Sequence, residues 1–359
     1  MRERIVGVDI ARGLAVLGMF VAHLGHGTPD GQHSPAWFVV ADGRPSAMFA
    51  ILAGLSIALF TGGRTLPRGP ALVHGWLRIA TRAVVVFVIG LLLTALDTPV
   101  AVILPSYAVT FLLVAAFIAL PPAAVGVMAL TAAVVGPTLL AALLYPGADG
   151  TAPVQAGLGD NALLDLVLTG YYPAIVWITY MLLGLCVGRL DLRSPRVQAV
   201  MGATGLGLLL VGYGGGAWLS SVVRPTTELA YQLLRTDPHA DSTFEVLGNC
   251  GVALLVLAVV LALTTLPATA RVSRVLLHPL AATGAMALTA YSAHIVVIAL
   301  LGNGVVWYTE SNAVLVWFVV VTLVVCTLWT RFVGRGPLEM LMRLVTVGPY
   351  RAPVEQSRV

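Results

Sequence analysis

The chain has 359 residues, of which 58% are apolar and only 10% charged, with a mean hydropathy of +0.94. A soluble protein carries about 25% charged residues, so this one lacks the polar surface that water demands, and soluble enzyme classes are excluded. The formal net charge of +4 and pI near 9.1 would suit a nucleic-acid partner, but the placement of the basic residues excludes one. All 20 basic residues are arginine, which leaves no lysine for Schiff-base chemistry. Cys186, Cys250 and Cys326 lie in apolar runs at unrelated spacings, pointing to neither a disulfide framework nor a zinc site.

Apolar runs of spanning length fall at about 6–24, 45–62, 76–96, 99–120, 122–145, 171–189, 197–219, 246–266, 276–301 and 313–333. They predict an all-α integral membrane protein, a polytopic bundle of about ten (10–11) transmembrane helices forming one domain over 1–359. A barrel would show short alternating segments instead. Pro121-Pro122 divide two runs with almost no loop, and Pro105 is placed to break the fourth into half-helices. The first run contains Asp9 and Arg12 and no clear small-residue cleavage site, so it reads as a span rather than a removable leader.

Orientation follows from arginine. With the N-terminus inside, the inner ends collect 17 arginines, and the outer loops keep only Arg44, Arg224 and Arg235. Both termini are then cytoplasmic, in a multi-pass protein of the plasma (inner) membrane. The outer loops, 25–44, 146–170 and 220–245, hold most of the acidic residues, including Asp42, Asp241 and Glu245. The basic excess is thus a topology signal.

The stretch from Arg4 to Ser56 organises the rest. On a helix, Asp9, Arg12, Val16, Phe20 and His23 share one face, since the steps are three or four residues. Asp9 and His23 would stand roughly 21 Å apart along the axis, so this face carries polar groups at two depths of a bilayer. His26 and His33 follow, then Asp42-Gly43-Arg44 and the second run.

The opening VDIARGLAVLGMFVAH with ADGRPSAMFAILAGLS resembles the transmembrane acyltransferases that include heparan-α-glucosaminide N-acetyltransferases. The pieces TGAMALTAYSAHIV (283–296) and GRGPLEMLMRLVT (334–346) resemble the bacterial YeiB-like branch of that superfamily, the DUF418 and DUF1624 families; between about 100 and 280 only the hydrophobic pattern matches. The resemblance implies transfer of acetyl from cytosolic acetyl-CoA to an amino sugar across the membrane. It also implies a relay histidine in the first outer loop with an asparagine at the end of the first helix, and a homodimer. His33 stands about where that histidine would be, and His23 where the asparagine would be.

Each candidate has two readings. His33, His23 and Asp42 form the catalytic set: a histidine near pKa 6.5 suits a base or an acyl-carrying nucleophile, and Asp42 would orient an imidazolium. The alternatives are solvated loop histidines and a helix-start turn. A metal site is not expected, because spacings of three and seven match no standard motif. Arg12 with Asp9 would meet a phosphate of acyl-CoA, or would be a structural ion pair; Gly13 beside them would permit close helix approach. Arg78 and Arg335 represent the inner arginines that would meet CoA phosphates, or would serve orientation and lipid contact. Arg44, His294 and Tyr291 would face the acceptor, with Thr283, Ala287, Ala290 and His294 on one face; alternatively they join helices by hydrogen bonds. Tyr107 and Asn249 are weaker candidates of the same kind.

Two functions follow. One is a membrane acyltransferase moving an acyl group, acetyl in the first instance, from acyl-CoA to a hydroxyl or amine of an extracytoplasmic sugar, glycolipid or small metabolite. The other is a transporter or flippase without acyl chemistry, set back by the lack of an internal repeat.

Overall fold

The computed structural model describes residues 4–25, 40–145, 161–306 and 311–347. Among these every regular element is helical, as hydrocarbon requires of a chain whose backbone groups must be satisfied within each segment. In order they are α1 (Val6–Leu24), α2 (Arg44–Phe60), α3 (Pro70–Thr94), α4 (Leu104–Ala115), α5 (Pro122–Leu144), α6 (Ala162–Thr169), α7 (Ala174–Gly188) and α8 (Pro195–Val222). They continue as α9 (Glu228–Leu234), α10 (Thr243–Thr265), α11 (Ala270–Leu276), α12 (His278–Ala285), α13 (Ala287–Leu301), α14 (Ala313–Phe332) and α15 (Pro337–Val347).

Each of the ten apolar runs carries a helix, but they are unequal. Among the described residues, α1, α3, α5, α8, α10 and α14 are long and apolar enough to cross a membrane. Two bent pairs raise the total to eight if each counts as one span: α6 with α7, turned by 60°, and α12 with α13, turned by 82°. The other two runs give the shorter α2, of 17 residues, and α4, of 12. Pro105 lies in the first turn of α4, where its missing N–H costs nothing; the residues before it, 99–103, form no helix.

The bend between α12 and α13 departs from the single helix expected over 276–301, and it separates Thr283 from the face that carries Ala290 and His294. Two contacts explain it. Gly284 lies so close to α1 that a Cβ there would fall 1.7 Å from the Asp9 carbonyl oxygen, and a Cβ on Gly13 would fall 2.2 Å from that of Leu280. The chain therefore presses α12 against α1 along two glycines, the close approach expected at Gly13. The amides exposed by the bend are then taken up by Glu339 of the Gly-Pro-Leu-Glu motif. Its carboxylate accepts from the backbone N–H of Leu288 (2.8 Å) and Thr289 (3.1 Å), and from the Thr289 hydroxyl (2.6 Å).

At the centre of the bundle, α2 packs on α7 through Gly54 and Gly184, each against the other helix's backbone. The core runs along α1, α2, α7 and α10. Outward-facing side chains of α14 and α13 are apolar and exposed, among them Val320, Leu328, Phe332 and Leu300. Such a belt is stable only against lipid.

Candidate functional site

The common face of α1 is present, with Asp9, Val16 and Phe20 buried and Arg12 and His23 half-buried at opposite ends. At the Arg12 end the Asp9 carboxylate accepts from two arginines: Arg4, in a short contact, and Arg12 Nη1 at 2.9 Å. Arg12 Nη2 donates to Ser56 Oγ at 2.7 Å, joining α1 to α2. Beside this pair lies a cavity of about 400 Å³ whose lining includes Arg12, Ser56, Phe60, Arg82 and Glu339 at one side and Phe49 and Tyr107 further in. Most of its wall is apolar.

Arg82 stands 4.2 Å from the centre of the Phe60 ring, and its buried Nε has no hydrogen-bond partner. Arg78, one turn earlier on α3, lies 5.0 Å from the same ring and donates to the Phe60 carbonyl at 3.0 Å. Its Nε is likewise buried without a partner, but it does not line the cavity. Arg335 is exposed on the connection from α14 to α15, away from the lining. The residues present fit a phosphate-bearing thioester: the Arg82 guanidinium, whose buried Nε meets no acceptor, stands with Arg12 beside an apolar space.

At the inner limit of the cavity stands an aromatic layer. The Phe49 ring stacks on Tyr107 (5.9 Å) and on Tyr291 (6.1 Å). The Tyr107 hydroxyl donates to the Ser46 carbonyl at 2.9 Å, and the Tyr291 hydroxyl accepts from the Ile103 N–H at 3.3 Å. Tyr291 meets the His294 ring edge-on at 5.2 Å, and His294 in turn stacks on His23, with Nε2 and Nδ1 3.2 Å apart. This contact fixes the tautomers. His294 Nδ1 donates to the Tyr291 carbonyl, since a carbonyl can only accept. The neutral ring then offers a lone pair at Nε2, so His23 Nδ1 carries the hydrogen between the rings. His23 Nε2 is left with the unshared pair that a base or nucleophile requires.

His23 is therefore partnered by His294, not by Asp42. Asp42 is half-buried before α2; burial raises its pKa, while Arg44 and the Gly43 amide pull it back. Arg44 lies 4.5 Å from the centre of the Tyr213 ring. His26 and His33 fall outside the described residues.

Facing Asp42-Gly43 is a constellation of which the sequence singled out Asn249 alone. Glu245, buried in the first turn of α10, accepts from the backbone N–H groups of His239 and Asp241, both at 2.8 Å, and from the Asn249 amide at 3.2 Å. Asn249 also donates to Tyr180 and accepts from Tyr213. The carboxylate thereby holds a loop in which His239 and Asp241 have φ of 57° and 50°, a left-handed conformation that is costly for such residues. His239 lies against Tyr171 (4.2 Å between ring centres), and its Nδ1 is buried without a partner. Burial lowers its pKa to about 4. Asp241 accepts from the Trp177 indole at 3.2 Å; burial, with Glu245 adding to it, raises its pKa well above the ordinary value. An acid at the mouth of a span, followed by Asn four residues on, was the available sequence signal. Among the described residues no three His, Cys, Asp or Glu side chains are grouped to hold a metal ion.

A helical bundle with an apolar outer belt, an arginine-edged cavity and a histidine pair inside the bundle defines a multi-pass membrane protein with a polar interior. The chain belongs to the family described as "Heparan-alpha-glucosaminide N-acetyltransferase, catalytic", whose model matches residues 4–212, more than half of its length. It is thus membrane acetyltransferase-like. A second model, "Protein of unknown function (DUF418)", matches residues 202–349. The family likeness extends well beyond the four pieces recognisable by eye, through the middle of the chain. No curated protein matches it.

Proposed function

We propose that this protein is a membrane acyltransferase of the inner membrane that takes acyl groups, acetyl in the first instance, from acyl-CoA. The acceptor is a hydroxyl or amine of an extracytoplasmic sugar, glycolipid or small metabolite. One observation carries the reading: an arginine-edged apolar cavity and a tautomer-fixed histidine pair stand on opposite sides of the single Phe49–Tyr291 layer. Arg12 and Arg82 hold phosphate at the inner mouth, and the apolar lining shields the thioester from water. His23 Nε2 takes the proton of the attacking acceptor as the acyl carbon passes from sulfur to oxygen or nitrogen, and returns it to the departing thiolate. His33, in the first outer loop, is the second histidine to test, as base or acyl relay.

Thermal unfolding of the detergent-solubilised protein, titrated with acetyl-CoA, tests the reading together with acetyl transfer. Wild type and His23→Gln should gain stability with ligand, whereas Arg12→Gln with Arg82→Gln should gain little. Transfer or slow hydrolysis should fall about 100-fold or more in His23→Gln. If millimolar acetyl-CoA moves no melting curve, acyl transfer from CoA is wrong. The two bent helix pairs would then favour a transporter, detectable as pH-driven flux in liposomes without CoA.

A further inference from the structure

A second basic pocket lies away from the acyl-transfer cavity and shares no lining residue with it. It occupies about 270 Å³ between the start of α1, the end of α10, α11 and the connection from α7 to α8. Arg4, Arg193 and Arg274 line it, with Thr264, Thr265, Ile5 and Val6. No carboxylate is among these described lining residues.

Two of the arginines are anchored from behind. Arg274 donates from Nε and Nη2 to the Thr264 carbonyl, at 3.1 and 2.9 Å, which fixes the plane of its guanidinium and leaves Nη1 out of that contact. Arg4 is held through Nε by Asp9. The threonines add no recognition, because their hydroxyls donate back into α10, Thr264 to Val260 and Thr265 to Leu261. Three guanidinium groups thus converge on one small space, where an anion with several oxygens accepts from more than one of them.

We propose that this pocket binds a phosphate group. Its surroundings point to the membrane surface as the source. The adjoining α11 exposes Val272, Val275 and Leu276 while carrying Arg271 and Arg274. Apolar and cationic groups so combined suit a short helix lying at headgroup level. The ligand is accordingly the phosphodiester of an anionic lipid or, with the same chemistry, free phosphate. Because Arg4 serves both this pocket and Asp9, and Asp9 also holds Arg12, an occupant draws on the same ion-pair chain that edges the acyl-transfer cavity. The assignment does not depend on acyl transfer.

The test uses the full chain in neutral detergent at constant ionic strength. Melting curves are recorded with dihexanoyl phosphatidylglycerol, dihexanoyl phosphatidylcholine or inorganic phosphate, for wild type, Arg193→Gln and Arg193→Gln/Arg274→Gln. Phosphatidylglycerol should raise the wild-type Tm by about 2 °C or more near saturation, phosphatidylcholine should not, and the rise should shrink in the single variant and vanish in the double. A rise with inorganic phosphate and none with the lipid assigns the same site to a free phosphate. Each shift is read against that variant's own unliganded Tm, so a lower starting stability does not mask it. Should the double variant fail to fold, the single variant, altered at an exposed arginine, carries the comparison. Equal shifts in wild type and variants, or none with either anion, overturn the proposal.

Discussion

Arg189 and Arg82 both approach the end of α2, and they are opposites. Arg189 is buried and both of its terminal nitrogens are engaged: Nη1 donates to the carbonyls of Ala58 (3.2 Å) and Gly63 (2.8 Å), and Nη2 to Thr61 Oγ1 (3.1 Å) and the Ile118 carbonyl (2.7 Å). It closes the α2 C-terminus, where carbonyls lack helical partners and a cation meets the negative end of the dipole. Arg82 has a ring beneath it, a cavity beside it and, among the described residues, no acceptor for its terminal nitrogens. Sequence counted both as inner positive charge. The difference teaches that a buried arginine whose terminal nitrogens close carbonyls of the fold belongs to the fold, and one that turns them to an apolar space is waiting for a ligand.

The comparison breaks first at Arg189. Arg189→Ala strands acceptors on α2 and on the turn after α4, and should cost about 3–5 kcal/mol of stability. The measurement is the melting temperature in detergent, with folded yield beside it. A variant that melts with the wild type would show that the four contacts are incidental and that burial alone cannot sort these arginines.

Arg82 should behave in the reverse sense. Arg82→Gln removes a desolvated charge that no protein acceptor compensates, so the unliganded protein should melt no lower than wild type. Its KM for acyl-CoA should rise about 10–100-fold, as expected when a charged hydrogen bond of about 1.5–3 kcal/mol to ligand is lost, with kcat changed far less. Loss of stability without a change in KM would move Arg82 into Arg189's class.

What sequence revealed follows the same division. The helices were legible because hydrocarbon allows only one backbone solution and apolar runs announce it. The face from Asp9 to His23 was legible because helical spacing is fixed. The lengths were not: Gly13 and Gly284 press α12 onto α1, and Glu339 then caps a bend no local pattern marks. Nor was the company each residue keeps. His23 and His294 are 271 positions apart in sequence and 3.2 Å apart in space, and periodicity within one helix contains nothing about the next. The two family models meet inside α8, yet the site draws Arg12, Phe49 and His23 from one part and Tyr291, His294 and Glu339 from the other. Glu245 was visible as an acid but was counted with the loop, because the bonds that make it a brace come from the backbone of residues before it.

The smallest predicted effect concerns the outer counterpart of Arg82, the buried and unpartnered Nδ1 of His239. Burial holds the folded imidazole near pKa 4, against 6.5 for the ordinary group. Between those values the unfolded chain binds the extra proton, so this residue's contribution is complete above about pH 6.5 and is lost as pH falls toward 4. Asp241 acts in the opposite sense: its raised pKa means that the folded carboxyl keeps a proton the unfolded one has released, so its contribution fades as pH rises. His239→Asn should therefore flatten the decline in melting temperature from pH 7 to pH 4.5, and Asp241→Asn should steepen it. Two variants in one loop that move the profile in opposite directions leave little room for a general acid effect on the protein. Profiles parallel to wild type in both would mean that the loop is wet at these pH values. The unpartnered Nδ1 would then be satisfied by water, and the likeness between His239 and Arg82 would fail.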